Sequence, residues 1–253
     1  MKLSVDKVGV RFGGLWANRD VTFGVREGSI SAVIGPNGAG KTTLFNVISG
    51  FRAPSQGEVR LDGEKVSGLP AERIARRGIG RTFQIPEICH DLSVIENVLV
   101  GAYQHIKGGL LGQLTGLGGA IASEREARRR AEEELERTGL ADLRDQSAKV
   151  LPLGKVRLLE IARALASRPS LLLLDEAASG LNAREVGNLA ELVRQLPGRG
   201  VTVLLIEHNV RFVMQLAETI AVLDHGQLLS VGTPEAIRND ERVITAYLGR
   251  RQG

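Results

Sequence analysis

The stretch Gly35-Pro36-Asn37-Gly38-Ala39-Gly40-Lys41-Thr42 narrows the possible folds of this chain more than any other feature. It fits the pattern G-x-x-x-x-G-K-[ST] at every fixed position. The run before it, SISAVI, is apolar and strand-like, and KTTLFNVISG reads as a helix closed by Gly50. A strand that turns through glycines into a helix aims backbone N–H groups and the positive end of the helix at one point. That point suits phosphate oxygens. Lys41 adds a cation for the outer phosphates, the Thr42 hydroxyl can ligate Mg²⁺, and Thr43 can donate to the innermost phosphate. The plainer alternative is a Gly-rich turn with an incidental lysine, and the two flanking elements weigh against it.

A second group lies downstream. Leu171-Leu172-Leu173-Leu174 is an apolar strand that ends in Asp175 and Glu176. An acid at such a tip can hold Mg²⁺ through water, and the neighbouring carboxylate can act as general base on an attacking water. Alone, the pair would be an ordinary solvated strand end. Together with the glycine loop it reads as half of one site.

The 253 residues carry 33 Lys and Arg against 29 Asp and Glu, a formal charge of +4. This mild excess permits an anionic ligand or a membrane surface and does not require nucleic acid. Cys89 is the single cysteine, which excludes an internal disulfide and a multi-cysteine metal site and fits a reducing compartment. The opening MKLSVDKVGVRF lacks the apolar run of a signal peptide. No uncharged apolar run reaches the ~18 residues of a membrane helix. Work at a membrane would need spans from another chain.

Strands are expected at KLSVDKVGV, DVTFGV, SISAVIG, QGEVRLDG and GIGRTFQ, with a basic helix from Pro70 to Arg77. After Leu153 come helix GKVRLLEIARALAS, strand LLLLD, helix AREVGNLAELVRQL, strand VTVLLIE and helix NVRFVMQLA. Strands TIAVLD and QLLSVG and two short helices close the chain. LLLLD and VTVLLI are continuous apolar runs, as parallel strands buried on both faces require. Between the halves, Gly108 to Ser123 carries six glycines and no charge. It reads as a flexible surface insertion, with a membrane- or partner-facing lip as the alternative. EREARRRAEEELERTGL follows as a charged helix, Glu124 with Arg128 and Glu126 with Arg130 being spaced for support.

In this order the segments resemble the nucleotide-binding subunit of an ABC transporter over nearly the whole chain. Gln84 in RTFQ resembles the glutamine that senses Mg²⁺ and the membrane subunit. LPLGKVRLLEIARAL, with Gly154, resembles the signature and its helix. SGLN at Ser179 to Asn182 resembles the loop that follows the acids, and His208 the histidine that contacts the γ-phosphate. Phe12 resembles the aromatic residue that stacks on adenine. Singly, Gln84 would be a polar strand end, His208 a satisfied terminal histidine and Phe12 core. The resemblance implies an α/β P-loop NTPase core with an antiparallel β subdomain. It also implies an α-helical subdomain inserted at approximately 85–160 and C-terminal helices at 233–253, all within one ATP-binding domain spanning 1–253. ATP and Mg²⁺ are the implied cofactors.

A finer resemblance is to the branched-chain (hydrophobic) amino-acid importers. It rests on RFGGLWANRDVTF, GPNGAGKTTLFNVISGF, LSVIENVLVGA, LLIEHNVRFVM and VGTPEAIRND–VITAYLG. Importers of urea and exporters of lipid share much of the pattern. The resemblance implies an ATPase at the cytoplasmic face of the inner membrane. Its partners would be transmembrane permease subunits, a second ATP-binding subunit and, indirectly, a substrate-binding protein outside the membrane. A soluble ABC ATPase acting on nucleic acid or ribosomes would usually carry two ATPase cores, a long coiled coil or zinc modules. A kinase or nucleotide sensor would lack the set Gln84, Gly154 and His208.

The family signature usually reads Leu-Ser-(Gly/Tyr)-Gly-Gln, and here Leu151-Pro152-Leu153-Gly154-Lys155 stands in its place. Gly154 survives and the serine hydroxyl is lost. In the family the signature acts on ATP held by the opposite subunit, so the loss bears on the partner's site. A heterodimer with unequal sites is therefore expected, with a homodimer as the alternative. Ala177 replaces the usual proline, and Asn182 an aspartate often found there. Leu92, Val94, Ile95 and Val98 include residues at helical spacing. They read either as part of the permease-docking groove or as core of the helical subdomain.

Overall fold

A computed structural model describes residues 1–103 and 119–248. Two sheets form among them. The first is antiparallel, in the order β2-β1-β4-β5, from β1 (Leu3–Phe12), β2 (Leu15–Val25), β4 (Gln56–Leu61) and β5 (Glu64–Lys65). Its buried residues alternate until Val5 and then resume at Val8. The register with β2 shifts at that point, and Lys7 takes φ +47°. This β-bulge returns Val8 and Val10 to the core side.

The second sheet has the order β10-β9-β3-β8-β7-β6. Its strands are β3 (Ile30–Ile34), β6 (Ile79–Arg81), β7 (Leu171–Asp175), β8 (Thr202–Ile206), β9 (Thr219–Asp224) and β10 (Gln227–Gly232). The first five are parallel, and β10 pairs antiparallel with β9. Every residue of β3, β7 and β8 is buried, because helices or the first sheet cover both faces.

One face packs on α1 (Lys41–Ile48), α2 (Ala71–Arg76) and the antiparallel sheet, through Leu44, Phe45, Val5 and Val21. The other packs on α5 (Leu153–Ala166), α6 (Ala183–Gln195), α7 (Val210–Leu216), α8 (Pro234–Asn239) and α9 (Glu241–Leu248), through Ile161, Leu189, Phe212 and Ile237. A third core joins α5 to α3 (Val94–Ala102) and α4 (Gly119–Arg137). No helix among the described residues is long and apolar enough to cross a membrane.

Helix ends follow local chemistry. Ser93 and Glu96 form a reciprocal capping box on α3, and Asn182 and Glu185 form one on α6. Pro152 is the N-cap of α5 and offers it no side-chain acceptor. On α4 the Glu126–Arg130 pair forms at 2.8 Å. Within its bounds Gly119–Arg137, Ala127, Ala131 and Leu135 seat that helix on the third core. The reading of Gly108–Ser123 as an insertion otherwise falls on residues outside those described.

Of the two readings of Leu92, Val94, Ile95 and Val98, the docking one is corrected here in favour of the helical core. Val94 and Val98 are fully buried and Ile95 nearly so. With half-buried Leu92, they pack inward and leave no groove wall. Their helical spacing marked the face that covers α5. At Gly101 that contact leaves no room for a side chain, since a Cβ would stand 2.0 Å from the Arg163 carbonyl oxygen. Gly101→Val should lower unfolding stability by about 1–3 kcal/mol through overpacking. Urea denaturation checks this, and an unchanged midpoint would show that α3 and α5 can slide apart freely.

Candidate active site

The C-terminal ends of β3, β7 and β8 deliver three segments to one edge of the parallel sheet. β3 enters the glycine loop, β7 ends at Asp175 and leads to Glu176, and β8 leads to Glu207 and His208. The chain beyond β6 brings Gln84. They meet around a cavity of about 740 Å³ lined by residues 37–43, Ala17, Gln84, Glu176 and His208. Open α/β sheets bind ligands at this edge.

The loop can be built only from glycine at its contacts. Gly40 has φ +94°, and a Cβ there would stand 2.4 Å from the Ala17 carbonyl oxygen. A Cβ at Gly35 would stand 2.2 Å from that of Leu223. Asn18 Nδ2 donates to the Gly40 carbonyl at 3.2 Å, and Gly226 N–H to that of Ala39 at 3.2 Å. The loop is thus gripped by β2 on one side and by the β9–β10 turn on the other. From α9, Tyr247 is pushed up to a pKa of about 12 by burial, against the lowering influence of the Gly35 backbone.

Lys41 is buried and donates to the Gly35 and Pro36 carbonyls at 2.8 and 3.0 Å. Burial lowers its pKa, while the charges of Glu176 and Asp175 act the other way. Thr42 and Thr43 open α1 on the cavity wall. Glu176 takes φ +51°, a left-handed backbone that costs energy for a residue with a side chain. Its Oε2 accepts from Gln84 Nε2 at 3.0 Å, and its Oε1 lies 2.6 Å from His208 Nε2.

Asp175 lies behind this layer and is 1% exposed. Burial raises its pKa, against the lowering influence of Arg81, whose Nη2 donates to Oδ2 at 2.8 Å. Its Oδ1 is buried without a protein partner. Glu207 is also buried, its Oε1 accepting Ala178 N–H at 2.8 Å. Burial pushes its pKa up to about 7, and the charge of Glu176 adds to the rise.

Gly35, Pro36 and Asp175 lie behind the cavity wall, and Phe12 and Gly154 stand apart from it. Phe12, at the end of β1, is 45% exposed, with the Arg52 guanidinium 4.1 Å from its ring centre. Gly154 lies in the first turn of α5, where a Cβ would meet Glu185 Oε1 at 2.2 Å. Conversely, Arg81, Glu207, Ala17 and Tyr247 had no part in the site read from the sequence. For Arg81 and Glu207 the signal was a charge at the end of an apolar strand, next to residues already singled out.

Comparison with known proteins decides the family. Residues 18–179 match the model of the ABC transporter family. The chain belongs to the ABC transporter family. Residues 227–252 of this cassette also match the model described as branched-chain amino acid ATP-binding cassette transporter. The cassette is 44% identical over 248 residues to the high-affinity branched-chain amino acid transport ATP-binding protein BraF of Pseudomonas aeruginosa, covering 98% of this chain and 97% of BraF. It is 43% identical to LivG of Escherichia coli K12 with the same coverage. Among solved structures it resembles the ADP conformation of MJ1267, an ATP-binding cassette of an ABC transporter. That likeness has a TM-score of 0.85 and 30% identity, and covers 98% of each chain. The expected cassette fold, an α/β core with an antiparallel sheet, is thereby borne out.

Glu207 gives the cassette a pH signature. The folded chain keeps this proton up to about pH 7, whereas an ordinary glutamate releases it near 4.5. Stability therefore falls as pH rises between those values and levels off above them, a change of about 3 kcal/mol. Glu207→Gln should remove that slope. Denaturant unfolding of both proteins at pH 5 and pH 8 checks it, and parallel changes in the two would place the buried proton elsewhere.

Proposed function

We propose that this cassette hydrolyses ATP to power import of branched-chain or related hydrophobic amino acids. The convergence of Lys41, Thr42, Gln84, Glu176 and His208 on one cavity carries the ATPase part. The likeness to BraF and LivG supports the substrate class.

The loop from Gly35 to Thr43 cradles the phosphates with its backbone N–H groups, Pro36, Asn37 and Ala39 giving it shape between the glycines. Lys41 leaves its two carbonyl acceptors for the β- and γ-phosphates. The donor set fits Mg²⁺. Thr42 offers a hydroxyl, and the unpartnered Oδ1 of Asp175 faces a need that one metal-bound water would meet. Among the described residues no three His, Cys, Asp or Glu side chains gather as a metal cage, and Mg²⁺ bound with phosphates needs none. Bound there, the ion neutralises charge on the transferred phosphate. Gln84 adds a carbonyl oxygen beside it.

Glu176 is the general base. Both its oxygens are engaged, by Gln84 and by His208, so it becomes free to accept a proton from water when Gln84 withdraws. His208 then turns its Nε2 to the γ-phosphate. Phe12 at the hairpin end is the surface offered to adenine.

A groove of about 380 Å³ between β6, α2, α3 and α5 suits a permease helix. Phe51 (58% exposed) and Val100 (44% exposed) give it an apolar wall. Docking there would hold the cassette at the cytoplasmic face of the inner membrane, beneath a permease that receives its amino acid from a binding protein outside. Gly154 does not line the cavity of its own chain, so it would serve the ATP of a second cassette. With Pro152 in place of the serine, that service is weak, and a sister cassette with an intact signature makes the better partner.

Purified chains test this. Glu176→Gln should retain ATP binding and lose turnover by about 10²–10⁴-fold, whereas Lys41→Ala should lose binding. Equal turnover in Glu176→Gln and wild type would remove Glu176 as base. Pro152→Ser should speed the homodimer, and as an N-cap serine should also stabilise α5 by about 0.5–2 kcal/mol. A wild-type homodimer as fast as Pro152→Ser would overturn the unequal-site reading. Uptake of leucine, isoleucine or valine by the complex with its permease tests the substrate.

A further inference from the structure

Arg81 stands at the end of β6 with its side chain only 7% exposed, in an ion pair with Asp175. Nη2 donates to Asp175 Oδ2 at 2.8 Å. Nη1 donates to Asn46 Oδ1 at 2.8 Å and to Ser49 Oγ at 2.7 Å, fastening the same guanidinium to α1 and its C-terminal cap. Its carbon lies 4.9 Å from the ring centre of Phe83 and 5.5 Å from that of Phe51. Those two rings meet edge to face, with centres 5.5 Å apart. Phe51, Phe83 and Arg81 all line the apolar groove. One buried cation therefore touches the groove wall, the helix of the phosphate loop and Asp175.

Stability does not explain this arrangement. Burying an ion pair removes two charges from water, and a well-packed apolar replacement is often as stable or more so. What the pair supplies is geometry. The planar guanidinium fork resists rotation in a way that a lysine ammonium does not. It occupies Oδ2, and the Asp175 N–H is itself held by Thr82 Oγ1 at 3.2 Å. Oδ1 is left as the one buried oxygen of this carboxylate without a protein partner. If the carboxylate turned, the two oxygens would exchange roles.

We propose that Arg81 is a positioning residue for the metal-binding carboxylate. It locks Asp175 Oδ2 so that Oδ1 serves the divalent ion, and through Phe51 and Phe83 it links that carboxylate to the docking groove. This rests on the metal-dependent nucleotide site proposed above.

The test reads metal binding directly, without turnover. Mn²⁺ is titrated into the full chain saturated with ADP and followed by electron paramagnetic resonance. ADP affinity without metal is measured separately by calorimetry in EDTA. Arg81→Met should weaken Mn²⁺ by about 10- to 100-fold, the usual cost of losing a partner of a metal ligand, and leave metal-free ADP affinity unchanged. Arg81→Lys keeps the charge without the fork and should recover part of the loss. Phe51→Leu, at the groove wall, should weaken Mn²⁺ in the same direction by a smaller factor. Wild-type Mn²⁺ affinity in Arg81→Met overturns the proposal, as does an equal fall in metal-free ADP affinity. If Arg81→Met does not fold, Phe51→Leu decides, and an unchanged Mn²⁺ affinity there overturns it. A wild-type chain that binds no ADP would instead sink the nucleotide site itself.

Discussion

A glycine loop gripped between two carbonyl oxygens sets the layout of this cassette. Gly35 packs against the Leu223 carbonyl and Gly40 against that of Ala17, at distances that leave no room for a Cβ. Leu223 belongs to the parallel sheet and Ala17 to the antiparallel one. The loop is therefore a seam between the two layers as well as a wall of the cavity. The Asn18 side chain and the Gly226 N–H hold its carbonyls. Because α1 starts from the same turn, Lys41, Thr42 and Thr43 inherit their positions from it.

Around the seam the cassette concentrates groups that a plain core would exclude. Asp175, Glu176 and Glu207 are buried just at or beyond strand ends, and Lys41 at the start of α1. Each is answered differently. Asp175 has the Arg81 guanidinium, Glu176 shares its oxygens between Gln84 and His208, and Glu207 keeps its proton. Lys41 has only backbone carbonyls. Buried polar groups lower stability unless they are fully paired. The continuous Leu and Val runs of β7 and β8 supply the apolar burial that offsets them.

Local pattern made the glycine loop, the Asp175–Glu176 tip and the buried strands legible in the sequence. Each is a run of adjacent residues whose chemistry dictates backbone shape. Contacts between distant segments were not legible in that way. The spacing of Val94, Ile95 and Val98 marked an inward face, but nothing local says whether α5 or another chain covers it. Gly101, which allows α5 so close, lies in the same helix and carries no signal of its own. Arg81 reads as a solvated strand end until β7 brings Asp175 beside it, and Phe12 gives no sign of the Arg52 that covers one face of its ring.

The central claim is that one chain holds every group for binding and cleaving ATP except the signature, which a second cassette must lend. ATPase activity per chain, measured across a dilution series alongside sedimentation, tests this most directly. Activity per chain should fall as dimers give way to monomers. Adding excess Glu176→Gln chain, which still carries a signature, should restore part of it. Activity per chain that stays constant where the cassette sediments as a monomer would contradict the account.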